Sequence, residues 1–438
     1  MKYLFLIAYR NVHANLRPSM AALLSVAMAF FSILIFDGYI KNVTGLYANV
    51  HRYRLMYGDL IIQNPKLKQK EGKAEPIAYS LTQEQQYKIE TYLSSRPTDV
   101  LAYVKNLDFS GTISNGRIST IFTARAFDQP GGLKLRGTDW AWNALYGEPL
   151  HVGEPGQKIL LGQSLARTLG CKAKVKQNAV NVAGGFKEGN REFNCDTNDF
   201  QLTTTTASGQ VNSLSMIVSG LTDAGIRNID ARYVLADLKD AQILVNTDRI
   251  GYYTVLLFDS AAIDKFIDEF NTNLNDPNIQ ILRWQKHPVG DSYNRTINLL
   301  KIFRNFLIFV LVCVSGFSIS MTFSKNVKER TKEIGLLKSL GFVPEKILTI
   351  FLFESAILCA FGVLTGLVMG YLFLGVVNSI QFYYKAGMIS EKVVLQINPN
   401  VTSLLFLALM LIVLGLIASY FSAKGTIKKS AVDCLTHS

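Results

Sequence analysis

Few residues in this chain stand in patterns that do covalent chemistry. The five histidines, His13, His51, His151, His287 and His437, never fall at the short intervals that present metal ligands. No Gly-x-Ser-x-Gly frames a serine nucleophile. The nearest approach to a phosphate loop, Gly425-Thr-Ile-Lys-Lys-Ser430, lacks the second glycine and a strand before it. No catalytic residue, no metal site and no cofactor is therefore expected in this chain. Scattered carboxylates form an acid/base pair only if folding brings two together, which sequence alone does not dictate. Of the five cysteines, Cys313 and Cys359 lie in apolar blocks and Cys434 near the C-terminus. Cys171 and Cys195 flank a polar stretch containing Gly184, Gly185 and Gly189. They are candidates for a disulfide closing that excursion, the alternative being two unrelated thiols.

The elements that must position any site are set by hydropathy. The chain has 438 residues, 49% hydrophobic, with a mean hydropathy of +0.20 and a net charge of +12, which excludes a purely soluble protein. The apolar excess sits in four blocks. Arg17 to Asp37 encloses 19 uncharged residues, Arg304 to Lys325 encloses 20, Lys346 to Lys385 encloses 38 interrupted by Glu354, and Asn400 to Lys424 encloses 23. Each is long enough for a hydrocarbon core, which takes roughly 20 helical residues. The first lacks a small-x-small cleavage site and reads as an uncleaved anchor. Lys2, Arg10, Arg17, Lys325, Lys328, Arg330, Lys332, Lys338, Lys346, Lys424, Lys428 and Lys429 cluster on one side of the blocks. The positive-inside rule places both termini and the 325–346 loop in the cytoplasm. This topogenic charge accounts for the pI of about 9.3 without a nucleic-acid partner.

The fold expected is a membrane protein of four transmembrane α-helices, with a large α+β extracytoplasmic (periplasmic) domain between helices 1 and 2. The divisions are an amphipathic inner-leaflet helix over 1–17, a first span over 18–40 and the α+β domain with helical stalks over 41–298. A second span over 299–324, a cytoplasmic coupling loop over 325–346 and a third span over 347–378 follow. A short outer loop over 379–400, a fourth span over 401–423 and a cytoplasmic tail over 424–438 complete the chain. Val43, Leu46, Tyr47 and Val50, and later Ile297, Leu300, Phe303 and Leu307, keep helical spacing and suggest stalks. In the large domain, strands are expected at Asp59 to Gln63, across Val100 to Phe127 with an Asn115-Gly116 turn, and at Ser213 to Leu221, Tyr252 to Phe258 and Gln280 to Trp284. Helices are expected at Thr82 to Ser94, Gln163 to Leu169, Ala236 to Leu244 and Ser260 to Leu274. Two lobes are expected, with 171–206 as a polar insertion.

Two constellations remain. Gly362, Gly366 and Gly370 repeat every fourth residue in the third span, a face on which another helix can pack closely. In the loop, Val327, Ile334, Leu337 and Leu340 form an apolar seam, with Lys325 to Glu329 and Arg330 to Glu333 pairing beside it. A short helix of that kind suits docking of a cytoplasmic partner. Glu354, the single ionisable side chain within the spans, is read as a carboxylate bonded to a neighbouring helix or a cytoplasmic cation, not as a proton site.

The run Glu329-Arg330-x-x-Glu333-Ile334-Gly335-x-Leu337-Lys338-x-Leu340-Gly341 resembles the loop between the second and third spans of FtsX-like, MacB-type ABC permeases. Ala8-Tyr-Arg10-Asn11-Val, Phe353-Glu354 with the three glycines, and Ser430-Ala-Val-Asp433-Cys-Leu435 also resemble that family, with Ser430 where proline is usual. So do Ile159-Leu-Leu-Gly162-Gln-Ser-Leu165-Ala166-Arg-Thr-Leu169-Gly170 and Val218-Ser-Gly220 followed by Asp230, although the family's Gly-Asp after Leu-Gly is replaced by Cys171 and the insertion. The resemblance implies a dimeric permease whose second subunit is identical or related, bound through the loop to a separate cytoplasmic ATPase that carries ATP and Mg. It implies a bacterial inner-membrane location and a layout like the lipoprotein-releasing branch, with a periplasmic carrier or adaptor as a further partner. The alternative it implies is a division-type mechanical activator of a periplasmic cell-wall hydrolase.

Overall fold

The computed structural model describes residues 2–14, 16–70, 72, 75–136, 146–150, 157–174, 181–182, 185–186, 192–380, 382–385, 392–427 and 430. Gly184, Gly189, Cys434 and the rest of the tail from 431 lie outside the described residues. The chain divides into two compact units. One comprises Met1–Thr44, Thr296–Phe382 and Val394–Ser438, and the other Gly45–Arg295 and Tyr383–Val393.

Among the described residues four helices are long and apolar enough to cross a membrane: Leu16–Asn49, Asp291–Glu329, Pro344–Ile380 and Val401–Ile427. A further helix, Lys2–Ala14, precedes them. Lipid gives no hydrophobic drive between such helices, so shape complementarity must hold them together. The third span supplies it. A Cβ on Gly362 would lie 2.9 Å from Val26 Cβ, one on Gly366 2.5 Å from the Ala27 carbonyl oxygen, and one on Gly370 2.8 Å from Leu34 Cδ1. The glycine face is therefore filled by the first span of the same chain. Ala8 and Val12 of the N-terminal helix join Ala22, Val26, Phe30 and Leu34 in the buried core of the bundle, with Ile350, Ile357 and Leu358 of the third span. Phe303, Phe306, Phe309, Phe317 and Met321 line an exposed face of the second span.

The other unit is built on β1 (Leu60–Gln63), β2 (Val100–Ser114), β3 (Ser119–Phe127), β4 (Tyr146–Gly147), β5 (Lys158–Gly162), β6 (Cys171–Ala173), β7 (Asn181–Val182), β8 (Gly185–Phe186), β9 (Phe193–Cys195), β10 (Asp199–Thr205), β11 (Val211–Thr222), β12 (Tyr233–Asp237), β13 (Tyr252–Leu257) and β14 (Gln280–Arg283). One sheet runs in the order β10-β11-β5-β12-β3-β2-β13-β1-β14, with β4 on β11. Because β10 also pairs with the far half of β2, Gly111 to Ser114, six strands close on themselves, while β13 pairs with the near half, Val100 to Asn106. The expected two lobes are thus one sheet, joined by a strand long enough to serve both parts. The β2–β3 turn falls at Asn115-Gly116: Asn115 Oδ1 accepts from Arg117 and Ile118 N–H, and Gly116 takes φ +85°. Thr82 opens the helix Gln83–Ser94 with a capping box to Gln85. The helix expected from Ala236 begins instead at Leu238, because Ala236 and Asp237 belong to β12 and the Asp237 carboxylate caps Lys239 N–H at 2.8 Å. Cys171 and Cys195 sit opposite each other on β6 and β9 and are joined by a disulfide. Burial of side chains such as Phe122, Phe200, Tyr253 and Phe270 against this sheet contributes ~1.5–3 kcal/mol each.

Candidate functional site

The loop between the second and third spans was expected to carry a seam along one helix, and the structure breaks that helix. The second span ends at Glu329, Arg330 leaves helical geometry at φ −99° and ψ 18°, and a separate helix runs Thr331–Ser339. The break puts Val327 and Ile334 on different helices, and both turn inward to pack with Ile347, Phe351, Ala423 and Ile427, with Leu337 against them. Gly335 is buried as well. The apolar surface left open is Leu336 at 57%, Leu340 at 69% and Val343 at 46% exposure. Leu336 and Val343 carried no sequence signal, because the seam was counted along an unbroken helix. Lys338 Nζ donates to the Ile427 carbonyl at 2.7 Å, tying the short helix to the end of the fourth span. Gly341 at φ +88° then turns the chain, and Pro344 starts the third span where no N–H is needed.

Arg330 and Glu354 meet at the break. Arg330 Nη1 donates to both oxygens of Glu354, at 2.9 and 3.1 Å, and its Nε to Glu333 at 2.7 Å. Asn11 of the N-terminal helix donates to Glu354 Oε1 at 2.7 Å, and the guanidinium stands 5.4 Å above the Phe351 ring. Burial disfavours the charge on Arg330, but Glu354 and Glu333 outweigh it and hold the group above the ordinary arginine range. Lys325 and Glu329 also pair, at 3.8 Å on the surface, where such contacts contribute little. Beside the break lies a cavity of about 230 Å³ lined by polar atoms of Asn11, Ser19, Asn326, Glu333 and Glu354. Asn11 carries no sequence signal beyond its place in Ala8-Tyr-Arg10-Asn11-Val. A second ion pair, Arg304 to Asp37 at 3.1 Å, joins the first and second spans elsewhere in the bundle.

The sheet domain offers no reactive cluster among the described residues, and no group of three His, Cys, Asp or Glu there could hold a metal ion. Burial holds His287 down at about 4, and its neutral ring bridges Gln63 at 2.7 Å and Val289 N–H at 3.2 Å. The stretch Ile159 to Gly170 and Asp230 are brought together for a structural reason. Asp230 accepts from the N–H of Ser164 at 2.8 Å and of Ala224 at 3.2 Å, and a Cβ on Gly162 would lie 2.3 Å from the Asp230 carbonyl. Gly162 is what lets that carboxylate cap the helix Gln163–Thr168.

Comparisons with known proteins bear on the spans and the loop. Residues 305–431 match the family FtsX-like permease C-terminal. An uncharacterized ABC transporter permease of Methanocaldococcus jannaschii is 25% identical over 223 residues, 50% of this chain and 54% of that protein. The lipoprotein-releasing system transmembrane protein LolC of Neisseria meningitidis serogroup B is 23% identical over 235 residues, 52% of each chain. The chain thus spans about half the length of these relatives. The extracellular domain of a noncanonic ABC-type transporter, YknZ, from Gram-positive bacteria overlaps 51% of this chain and 98% of its own at 13% identity. Its TM-score of 0.31 is too low to carry an argument. Over its last three spans and the short helix between them, this chain is similar to the FtsX-like permeases.

Proposed function

We propose that this chain is the transmembrane subunit of an ABC transporter of the FtsX, MacB and LolC type, working with a separate cytoplasmic ATPase that binds ATP and Mg. The observation that carries the reading is the family match over 305–431, a region that presents Leu336, Leu340 and Val343 to solvent on a short helix and the turn after it, between two spans. Three exposed apolar residues beside charged Lys332 and Glu333 make a surface that a protein partner would cover. In this reading the loop and both termini are cytoplasmic, the sheet domain is periplasmic, and the protein resides in a bacterial inner membrane as a dimer with an identical or related subunit. ATP-driven displacement passes along the helices Leu16–Asn49 and Asp291–Glu329 to the sheet domain. The cargo favoured is a lipoprotein or another substrate released from the membrane, handed to a periplasmic carrier. The resemblance to LolC supports that cargo, whereas activation of a cell-wall hydrolase is the second reading. The roughly 260-residue sheet domain favours the first, since division-type members tend to have shorter ones.

Replacing Leu336 and Leu340 together by Asp tests the docking surface. Neither side chain supports the core, so the protein is expected to stay folded in membranes while copurification of the ATPase is lost, because a charge placed in an apolar contact must be desolvated. Undiminished ATPase binding would sink the docking assignment.

A further inference from the structure

Arg330 is the single residue between two helices, and backbone hydrogen bonding continues across it. Its N–H donates to Asn326 O at 3.1 Å, and its carbonyl accepts from Ile334 N–H at 3.0 Å. A bend of one residue with bonded backbone on both sides is a narrow joint, and its angle is set by what the side chains grip. Apolar packing of Ile334 and Leu337 fixes how close the short helix lies, but such contacts have no direction. The guanidinium of Arg330 has one, because this rigid plane reaches Glu354 through Nη1 while it holds Glu333 through Nε. Glu354 is 5% exposed and lies ten residues past Pro344, ~15 Å along the helix axis. A carboxylate there is costly unless paired, and an apolar side chain would fill the space more simply. Its three bonds come from the N-terminal helix and from the joint itself, and Arg330 in turn grips Glu333 on the short helix.

We propose that Arg330 is a positioning residue, which sets the angle of the short helix to the third span through Glu354, so that a load on the short helix moves the third span instead of bending the joint. The first span, seated in the face of Gly362, Gly366 and Gly370, moves with it. The proposal rests on the docking of an ATPase to the short helix for its use, but its geometry is tested without that ATPase, so the two can fail separately.

The measurement is the distance between nitroxide labels at Leu336 and Leu364, both exposed, with cysteines outside the disulfide replaced and the chain in lipid nanodiscs. The parent is expected to give one narrow distribution. Arg330→Met and Glu354→Gln each broaden it, and Arg330→Lys, which keeps the charge without a rigid plane that holds Glu333 and Glu354 at once, recovers part of the narrowing. Each of the first two leaves one charge of the pair without the other, so the double variant Arg330→Met/Glu354→Gln decides. A distribution that stays broad with both charges gone supports positioning. A return to the parent distribution, or narrow distributions throughout, overturns it. In the complex with the ATPase, with the label at Leu336 moved off the docking surface to the exposed Phe309, the double variant is expected to copurify the ATPase normally while the nucleotide-dependent shift of the third span falls ~2–30-fold. Loss of copurification would instead make Arg330 part of the docking surface and overturn the positioning role.

Discussion

Two ion-paired arginines, one in each unit, show how the same pairing serves different ends. In the sheet domain Arg125 donates from all three nitrogens: to Asp108 through Nε and Nη2 at 3.0 Å each, to Tyr57 Oη at 2.7 Å, and to the Leu55 carbonyl. It also lies 4.2 Å over the Tyr57 ring. In the bundle Arg330 binds Glu333 and Glu354 through Nε and Nη1, and its Nη2 makes no hydrogen bond among the described residues. Arg330 stands beside a polar cavity, whereas the Tyr57 and Tyr252 rings cover the guanidinium of Arg125 and only its partner Asp108 reaches solvent. A saturated guanidinium is a rivet, because any movement breaks several bonds at once. An unsaturated one at a one-residue bend can exchange partners while remaining paired, as a joint under load must.

The largest expected effect tests that contrast directly. Arg125→Met takes the donor from the buried Leu55 carbonyl and the Tyr57 hydroxyl and leaves the partly exposed Asp108 with Tyr252, so thermal unfolding of the sheet domain should show a loss of ~3–5 kcal/mol. Arg330→Met should cost the bundle less, ~1–2 kcal/mol, since Asn11 still bonds Glu354 and the cavity admits water. Equal losses in the two variants would remove the distinction between rivet and joint.

A smaller effect separates shape from charge in the bundle. Gly366→Leu would drive a side chain into the Ala27 carbonyl and Phe30, and overpacking of this kind costs ~1–3 kcal/mol. Cross-linking between cysteines on the first and third spans should fall, with the Arg330–Glu354 contact intact. Unchanged cross-linking would mean that the first span is held by something other than the glycine face.

The sequence carried the spans because apolar blocks of about 20 residues are written in one dimension. It carried the β2–β3 hairpin through Asn115-Gly116 and the helix at Gln83 through its capping box for the same reason. Strands β5 and β12 are buried throughout, so no alternation marks them, and their Leu and Ala suit a helix equally, whereas the equally buried β13 is marked by Tyr252-Tyr253-Thr254-Val255. The closure of β10 onto β2 is a pairing across roughly 90 residues, which no local pattern encodes. At the candidate site, the residue types were legible and the break was not. Nothing in the run from Lys325 to Gly341 forbids a continuous helix, and the contacts made at the bend include Glu354, 24 residues beyond Arg330, which no local pattern links to it.

A carboxylate without a guanidinium sharpens the comparison further. Asp128 accepts from the backbone N–H groups of Lys105 and, at 3.0 Å, Gly131, while Lys105 Nζ is engaged with Glu90 at 2.7 Å. Burial is the dominant influence and pushes Asp128 up to about 6, against the pull of those backbone donors. Because the folded value lies above the unfolded one near 3.8, the native state binds this proton more tightly. Its contribution to stability is fully present below about pH 4 and is lost as pH rises through about 6. A shift of about two units corresponds to ~3 kcal/mol at most, and side-chain relaxation will reduce that. The expected outcome is that Asp128→Asn, compared with the parent by chemical denaturation of the full chain in detergent, flattens the stability profile between pH 4 and pH 7. The variant should be weaker at low pH, where one of the two backbone N–H groups loses its acceptor, and should close the gap as pH rises. A gap that stays constant across that range would show that Asp128 keeps its proton state throughout, and that backbone donors hold a buried anion as securely as the guanidinium of Arg125 does.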